Sequence, residues 1–388
     1  MPAGDIMNTS TQLRGAIRLH LAEGVGPIVY RRLIEAFGDV KGVLAAGPSQ
    51  WRRVKGVGEK IASEMAAVTD QHVDEELALA EKCGAAILTA DDERFPAALK
   101  SIHDCPALLY VRGRLEKTDA LAVGVVGSRN CTHYGMEQAE RFSQLLAGAG
   151  FTVVSGGARG IDTASHRGAL SAGGRTIAVM GCGLFKTYPP ENAKLFEQIV
   201  ADDRGAIVSD LPMRTDIRAG NFHSRNRLIS GLSLGVLVVE AARRSGALIT
   251  AREAAEQGRE VFAVPGRVDS PLSGGTHALI RDGAILTTGL DDILEHLGPV
   301  GERMGMPPSD AGQAGDGQAQ LPPGLDETET HLLKALAAGA MSLDELVRRT
   351  ELASGPVAAA MTMLLLKGAV TQQPGNIFAR KREGRCAH

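Results

Sequence analysis

The chain has 388 residues, 44% of them hydrophobic, and a formal net charge of −3, so it can build about two or three domains with buried cores and is not a polycation. Any nucleic-acid surface must therefore be a local patch. Cys83, Cys105, Cys131, Cys182 and Cys386 lie far apart with no Cys-x-x-Cys, which argues against a disulfide framework or a zinc site, and no run approaches the roughly 18 apolar residues of a membrane span.

Met1 to Gln12 has no apolar signal core, so the expectation is a soluble protein of a reducing cytoplasm. From about Leu13 to Ala90 the pattern is helical, and residues 1–85 read as an N-terminal helical domain. Two segments in it, Gly24-Val25-Gly26-Pro27 and Val54-Lys55-Gly56-Val57-Gly58, each join two amphipathic stretches. They resemble helix-hairpin-helix turns, whose amides can face a DNA phosphate, and equally suit tight helix connections.

Residues 86–300 read as the next domain, and from Ala120 to about His296 the chain alternates strand and helix. Predicted strands are Leu121–Val126, Thr152–Ser155, Thr176–Met180, Ala206–Ser209, Val236–Glu240 and Val261–Val264. Strands separated by helical stretches predict βαβ units, hence an α/β fold with an extended Rossmann-like parallel sheet. The first two strands end in glycine turns, Gly127-Ser128-Arg129 and Ser155-Gly156-Gly157-Ala158-Arg159-Gly160. Such turns lie at the carboxyl ends of the strands, where open α/β sheets bind ligands. Helix-start amides favour anions there, and Arg129 and Arg159 point to a phosphate.

Neither a dinucleotide fingerprint nor a Walker A sequence follows the first strand, which removes the usual signs of hydride transfer and ATP hydrolysis. Asp162 and His166 stand one helical turn apart. They are either a helix cap and a core residue or an acid–base pair, and no nucleophile or metal set accompanies them. Tyr188 either stacks on a base or packs under its turn, and Cys182 reads as structural. Arg214, Arg218, His223, Arg225 and Arg227 form the densest basic cluster, interleaved with Phe222 and Asn226. It is a phosphate and base contact or a solvated charge run, and the spacing of Arg225 and Arg227 means that both cannot face outward from a helix. Ser245-Gly246-Ala247 adds a further turn at the same sheet edge.

Residues 301–324, with Pro307-Pro308 and Pro322-Pro323, read as a flexible linker. Residues 325–388 then show three helices, at Thr330–Ala338, after Ser342 and from Pro356, and a hairpin from Ala369-Val370 to Ile377-Phe378. That is winged helix-turn-helix order. The third helix carries no basic residue before Lys367, so the module is either a DNA reader or a protein contact.

Taken together, these motifs resemble the DNA-processing protein A (DprA, also called Smf) family. The resemblance rests on Gly127-Ser128-Arg129, Ser155 to Asp162, Tyr188-Pro189 with Asn192, Phe222-His223 with Arg225-Asn226-Arg227, Ser245-Gly246-Ala247 with Thr250, and Pro265-Gly266, and covers most of residues 80–298. It implies a mediator rather than an enzyme, without cofactor or metal. Such a protein binds single-stranded DNA without strong sequence preference, forms a homodimer and delivers the strand to the RecA recombinase during natural transformation. The implied DNA-binding residues are Gly127, Ser128, Arg129, Gly156, Gly157, Arg159, Gly160, Tyr188, Phe222, His223, Arg225, Asn226, Arg227 and Gly246. Arg218 corresponds loosely to a basic family position, and Lys194 stands in where the family's basic residue after Tyr-Pro meets Pro190. The family's dimer contact corresponds to Ile280 and Leu286. The alternatives are a nucleotide-processing Rossmann-like hydrolase, against which Pro265-Gly266 continues as Arg267-Val268, and a winged-helix transcription regulator.

Overall fold

In the strand Ala122–Val126, Ala122 and Val126 pack into one core while Val123 and Val125 pack into another. The strand Gly235–Val238 divides in the same way, with Val236 and Val238 on one side and Leu237 on the other. Successive strand residues point to opposite faces, so strands apolar on both faces require a sheet with helices on both sides. A computed structural model of the chain has that architecture. It describes residues 3–201, 203–303, 327–336, 341–350, 352, 355, 357, 360, 361, 364, 370–373 and 377–380. The chain forms two compact units, Met1–Ser309 and Asp310–His388.

The first unit opens with six helices: α1 (Ala3–His20), α2 (Pro27–Phe37), α3 (Val40–Ala45), α4 (Pro48–Trp51), α5 (Glu59–Ala67) and α6 (Asp70–Lys82). The two Gly-x-Gly segments join α1 to α2 and α4 to α5, with Pro27 at the start of α2, where its missing N–H leaves no helical bond unmade. The chain then runs through β1 (Ala85–Thr89), α7 (Ala97–Lys100) and β2 (Leu108–Gly113). Alternation follows: β3 (Ala122–Val126), α8 (His133–Gly148), β4 (Thr152–Ser155), α9 (Ile161–Ser171), β5 (Thr176–Val179), α10 (Ala193–Ala201), β6 (Gly205–Ser209), α11 (Ala219–Gly231), β7 (Gly235–Val238), α12 (Ala247–Glu256), β8 (Glu260–Ala263), α13 (Gly274–Arg281), β9 (Ile285–Leu286) and α14 (Leu290–Arg303).

All six predicted strands are present, within two residues at each end. The sheet order is β1-β2-β6-β5-β4-β3-β7-β8-β9; β3 to β9 are parallel, and β1 and β2 add an antiparallel edge. That edge corrects the helical reading up to Ala90. The successive connections from β3 run to β4, β5 and β6 on one side, and β7 returns to the other side of β3. The space between the ends of β3 and β7 is therefore the topological switch point of the sheet.

Helices α8, α9 and α14 cover one face through Phe142, Leu146, Ile161 and Ile293, and α11 and α12 cover the other through Leu228, Ile229 and Ala251. The six N-terminal helices do not form a core of their own. Ile17, Leu33 and Trp51 pack in one cluster with Ile87, Leu108 and Tyr110 of the antiparallel edge and with Met213.

The second unit contains α15 (Glu327–Ala335), β10 (Met341–Ser342), α16 (Leu343–Thr350), β11 (Val370–Gln373) and β12 (Ile377–Arg380), with the strands in the antiparallel order β10-β12-β11. Val357, Met361 and Leu364 are helical and buried at helical spacing, against Leu332, Leu346, Val370 and Phe378. This is the expected winged-helix order. Helix α14 extends to Arg303, three residues into the expected linker. Residues 304–324, Lys381, Arg382 and Cys386 lie outside the described residues. Among the described residues no helix is long and apolar enough to cross a membrane.

Candidate nucleic-acid interface

The switch point holds a cavity of about 370 Å³. Its walls are the turn after β3 (Gly127 to Asn130), Ala158 and Asp162 after β4, one side of α11, and Ser245 to Ala247 after β7. Ser128 N donates to Glu240 O at 2.7 Å, and Ile161 N donates to Ser128 O at 3.2 Å, so the first turn is tied to both neighbouring strand ends.

Arg129 extends from this turn and is exposed. Its guanidinium carbon lies 4.7 Å from the centre of the Phe222 ring, and among the described residues it forms no ion pair. The aromatic face orients the guanidinium without consuming its charge. Phe222 also faces Tyr188, with ring centres 5.9 Å apart, and lies against Gly181, where a Cβ would come within 2.8 Å of the Phe222 ring. His223 is exposed at the rim, and buried Asn226 donates to Gly246 O at 3.4 Å.

The second glycine turn is closed from within. Arg225 is 3% exposed and its Nη1 donates to Gly156 O at 2.6 Å and to Val179 O. A Cβ on Gly156 would lie 2.4 Å from Arg225 Nη1 and 2.5 Å from Asp162 Oδ2. One on Gly160, whose φ is +71°, would lie 2.4 Å from Ser128 O. These glycines thus admit neighbouring parts of the protein, Arg225 and Asp162 at Gly156 and the Ser128 carbonyl at Gly160. Asn192 Nδ2 donates to Gly157 O at 3.0 Å and to Thr163 Oγ1 at 2.8 Å. Arg159 is on the surface, paired with Glu191 at 2.6 Å.

Arg225 is nevertheless a cavity residue. It forms the floor, and its buried Nε has no partner among the described residues. Burial lowers its pKa to about 10, with Asp162 opposing the shift, so it remains a cation at neutral pH. Burial raises the Asp162 carboxyl, and the Arg225 charge opposes that shift. Asp162 does not cap its helix in the ordinary sense; its Oδ2 accepts from Ala158 N at 3.2 Å and closes the turn. His166 is fully buried, with Nδ1 2.7 Å from Thr176 Oγ1, and burial lowers its pKa to about 3. It is not a cavity residue, so no acid–base pair forms with Asp162. Cys182 is buried and its thiol is pushed up by burial.

Several expected contacts lie elsewhere. The Arg227 guanidinium sits between Asp210 and Asp104, with Nε 3.3 Å from Asp104 Oδ2, and the side chain is almost wholly buried. It is an internal ion-pair partner, on a side of α11 that does not line the cavity. Arg218 and Arg214 line a separate cleft with Arg227, facing the Leu21–Ile28 loop. Lys194 is exposed on α10 and does not line the cavity. Ile280 is half-buried on α13, and Leu286 is 50% exposed on the edge strand β9.

Sequence reasoning missed two features. The buried Glu240 accepts from Thr132 N at 2.8 Å and Thr132 Oγ1 at 2.6 Å, anchoring the start of α8 at the cavity wall. Arg243 and Arg244 are exposed immediately before Ser245 and Gly246. Their position after a strand end was the available signal.

Comparison with known proteins decides the family. A family model described as DNA recombination-mediator protein A matches residues 86–298, more than half of the chain. The chain belongs to that family. Models of the DprA-like N-terminal HHH domain and the DprA winged helix domain match residues 11–77 and 317–376. Protein Smf of Synechocystis sp. is 35% identical over 389 residues, covering 92% of this chain and 96% of that protein. DNA processing protein DprA of Streptococcus pneumoniae is 43% identical over 203 residues, covering 52% of this chain and 71% of that protein. An X-ray structure of DNA processing protein A from S. pneumoniae superposes with a TM-score of 0.63 at 33% identity, covering 72% of this chain and 95% of that one. The family that the motifs resembled is the family that the whole chain matches.

Proposed function

We propose that this member of the recombination-mediator family binds single-stranded DNA at the switch-point cavity, without reading base sequence, and delivers it to the RecA recombinase during natural transformation. The observation that carries the reading is Arg129: exposed, unpaired among the described residues and stacked on Phe222 at the mouth of a cavity whose floor is the buried cation Arg225. A phosphate suits Arg129, and a base suits the Phe222 and Tyr188 rings. Contacts of this kind do not discriminate among bases, because phosphates are common to all sequences and every base has a face to stack. Gly127, Ser128, His223, Asn226 and Gly246 complete the proposed contact surface, and Arg159 joins it if a phosphate displaces Glu191. Arg218 and Lys194 would serve longer strands outside the cavity.

The protein acts as a mediator of the cytoplasm rather than an enzyme. Supporting this, Asp162 is engaged by Ala158 and faces Arg225, and His166 faces Thr176. A homodimer through the β9 edge, with Ile280 and Leu286 at the contact, would join two cavities into one track and raise affinity through effective concentration.

Salt-titrated binding to single-stranded DNA, duplex DNA and mononucleotides tests the reading. The single strand should bind best, and Arg129→Ala should weaken it by about 1.5–3 kcal/mol, the range for a hydrogen bond to a charged group. Equal binding by parent and variant would overturn the assignment. Hydrolysis of a nucleoside monophosphate that disappears in Asp162→Ala would favour the hydrolase reading instead.

A further inference from the structure

Ser245 N donates to Ala242 O at 2.9 Å, closing a turn with Arg243 and Arg244 at its two central positions. The turn is firmly held. Ala241 N donates to Leu272 O at 2.8 Å, Gly275 N donates to Ala241 O at 2.7 Å, and a Cβ on Gly275 would lie 2.5 Å from that same carbonyl oxygen. The stem of Arg243 passes Gly274, where a Cβ would come within 3.3 Å of its Cγ. Both arginines are exposed, and among the described residues neither forms an ion pair. The nearest carboxylate in sequence, Glu240, is buried and turned to Thr132. Two like charges on adjacent residues repel one another. A fixed turn that presents them without a counter-charge is therefore a receptor for an anion.

The place of the turn determines which anion. Ser245 and Gly246, directly after the arginines, line the cavity on the β7 side, whereas Arg129 stands at its mouth on the β3 side. A nucleotide within a strand carries a phosphate on either side of its sugar. Resting on the single-strand reading above, we propose that Arg243 and Arg244 form a second phosphate clamp. Arg129 takes the phosphate on one side of the nucleotide in the cavity, and the Arg243-Arg244 turn takes the phosphate on the other. The clamp selects a strand that passes through the site over a nucleotide that ends in it.

The test compares the parent, Arg129→Ala, Arg243→Ala/Arg244→Ala, the triple variant and Arg243→Lys/Arg244→Lys, by fluorescence anisotropy with a labelled oligothymidine over a range of salt. Each lost single-strand phosphate contact should reduce the slope of log affinity against log salt by about 0.7. The double alanine variant should lose about 0.7 in slope, for its one phosphate, and at least about tenfold in affinity at low salt. The triple variant should show the sum of both losses. The double lysine variant should keep most of the slope, because an ammonium holds a phosphate as a point charge. An unchanged slope in the double alanine variant, with Arg129→Ala still weakened, would overturn the clamp and leave the cavity reading standing. An unchanged slope in both would overturn the two together. An equal loss in the lysine and alanine pairs would also overturn the clamp, since charge would not be what the turn supplies.

Discussion

The Gly127–Arg129 turn and the Ser155–Gly160 turn carry the same signature, a β-branched strand running into glycine and then arginine, and the fold places them side by side at one sheet edge. Their interiors differ. The first turn leaves its arginine exposed over an aromatic ring at a cavity mouth. The second is filled by Arg225, Asp162 and Asn192, and its own arginine is paired with Glu191. A glycine turn after a strand thus marks close approach, but what approaches can be a ligand or another part of the same protein. The neighbouring helix decides: α11 sends Arg225 into the second turn and Phe222 under the first.

The comparison breaks most visibly at Arg225. Arg225→Met would leave the Asp162 carboxyl buried without its cation and the Gly156 and Val179 carbonyls without a donor. That should lower the unfolding free energy of the first unit by about 3–5 kcal/mol, as for other broken buried charge pairs. Urea unfolding measures it, and a loss below about 1 kcal/mol, within the usual range of ordinary point mutations, would mean that the second turn does not depend on this cation.

Acid should weaken the first unit as a whole next. His166 has a folded pKa of about 3 against an ordinary 6.5 because it is buried beside Thr176. The unfolded chain takes up a proton below pH 6.5 that the folded chain refuses, so this contribution is intact above 6.5 and is lost as pH falls. The slope is about 1.4 kcal/mol per pH unit, or about 2 kcal/mol between pH 6.5 and 5. The pH dependence of His166→Asn should be flatter by that amount, and parallel curves would remove His166 from the account.

The smallest effects come from the glycines. Gly156→Ala must displace Arg225 and Asp162 and should cost about 1–3 kcal/mol. Gly246→Ala meets nothing within 4 Å and should stay within about 0.5 kcal/mol of the parent in thermal or urea unfolding. Similar losses at both positions would erase the distinction between a closed turn and an open rim.

How far the sequence reached follows from the same physics. Six of the parallel strands were legible because each is an apolar, largely β-branched run between helical stretches, and β3, β4 and β5 lead into glycine within two residues. The antiparallel edge was not: β1 follows α6 after a short break, and β2 follows Pro106 with no glycine turn ahead of it. Arg129 was legible from its place after a strand end. The fates of Arg225 and Arg227 were not, because charge alone reads as solvent-facing and their partners come from loops up to 123 residues away. Spacing showed that both could not point outward, and the structure turns both inward.

The cluster that joins α1 to α6 with β1, β2 and Met213 has a consequence for how the chain is inherited. Family models treat 11–77 and 86–298 as separate segments. Folding cooperativity does not respect that boundary: Leu108 and Tyr110, both fully buried, have their covering layer in the preceding segment. A lineage that lost the helical segment would have to make the outward face of β1 and β2 polar, or cover it with something else. Evolutionary exchange of this segment is therefore restricted to replacements that bring their own apolar surface to the same sheet edge.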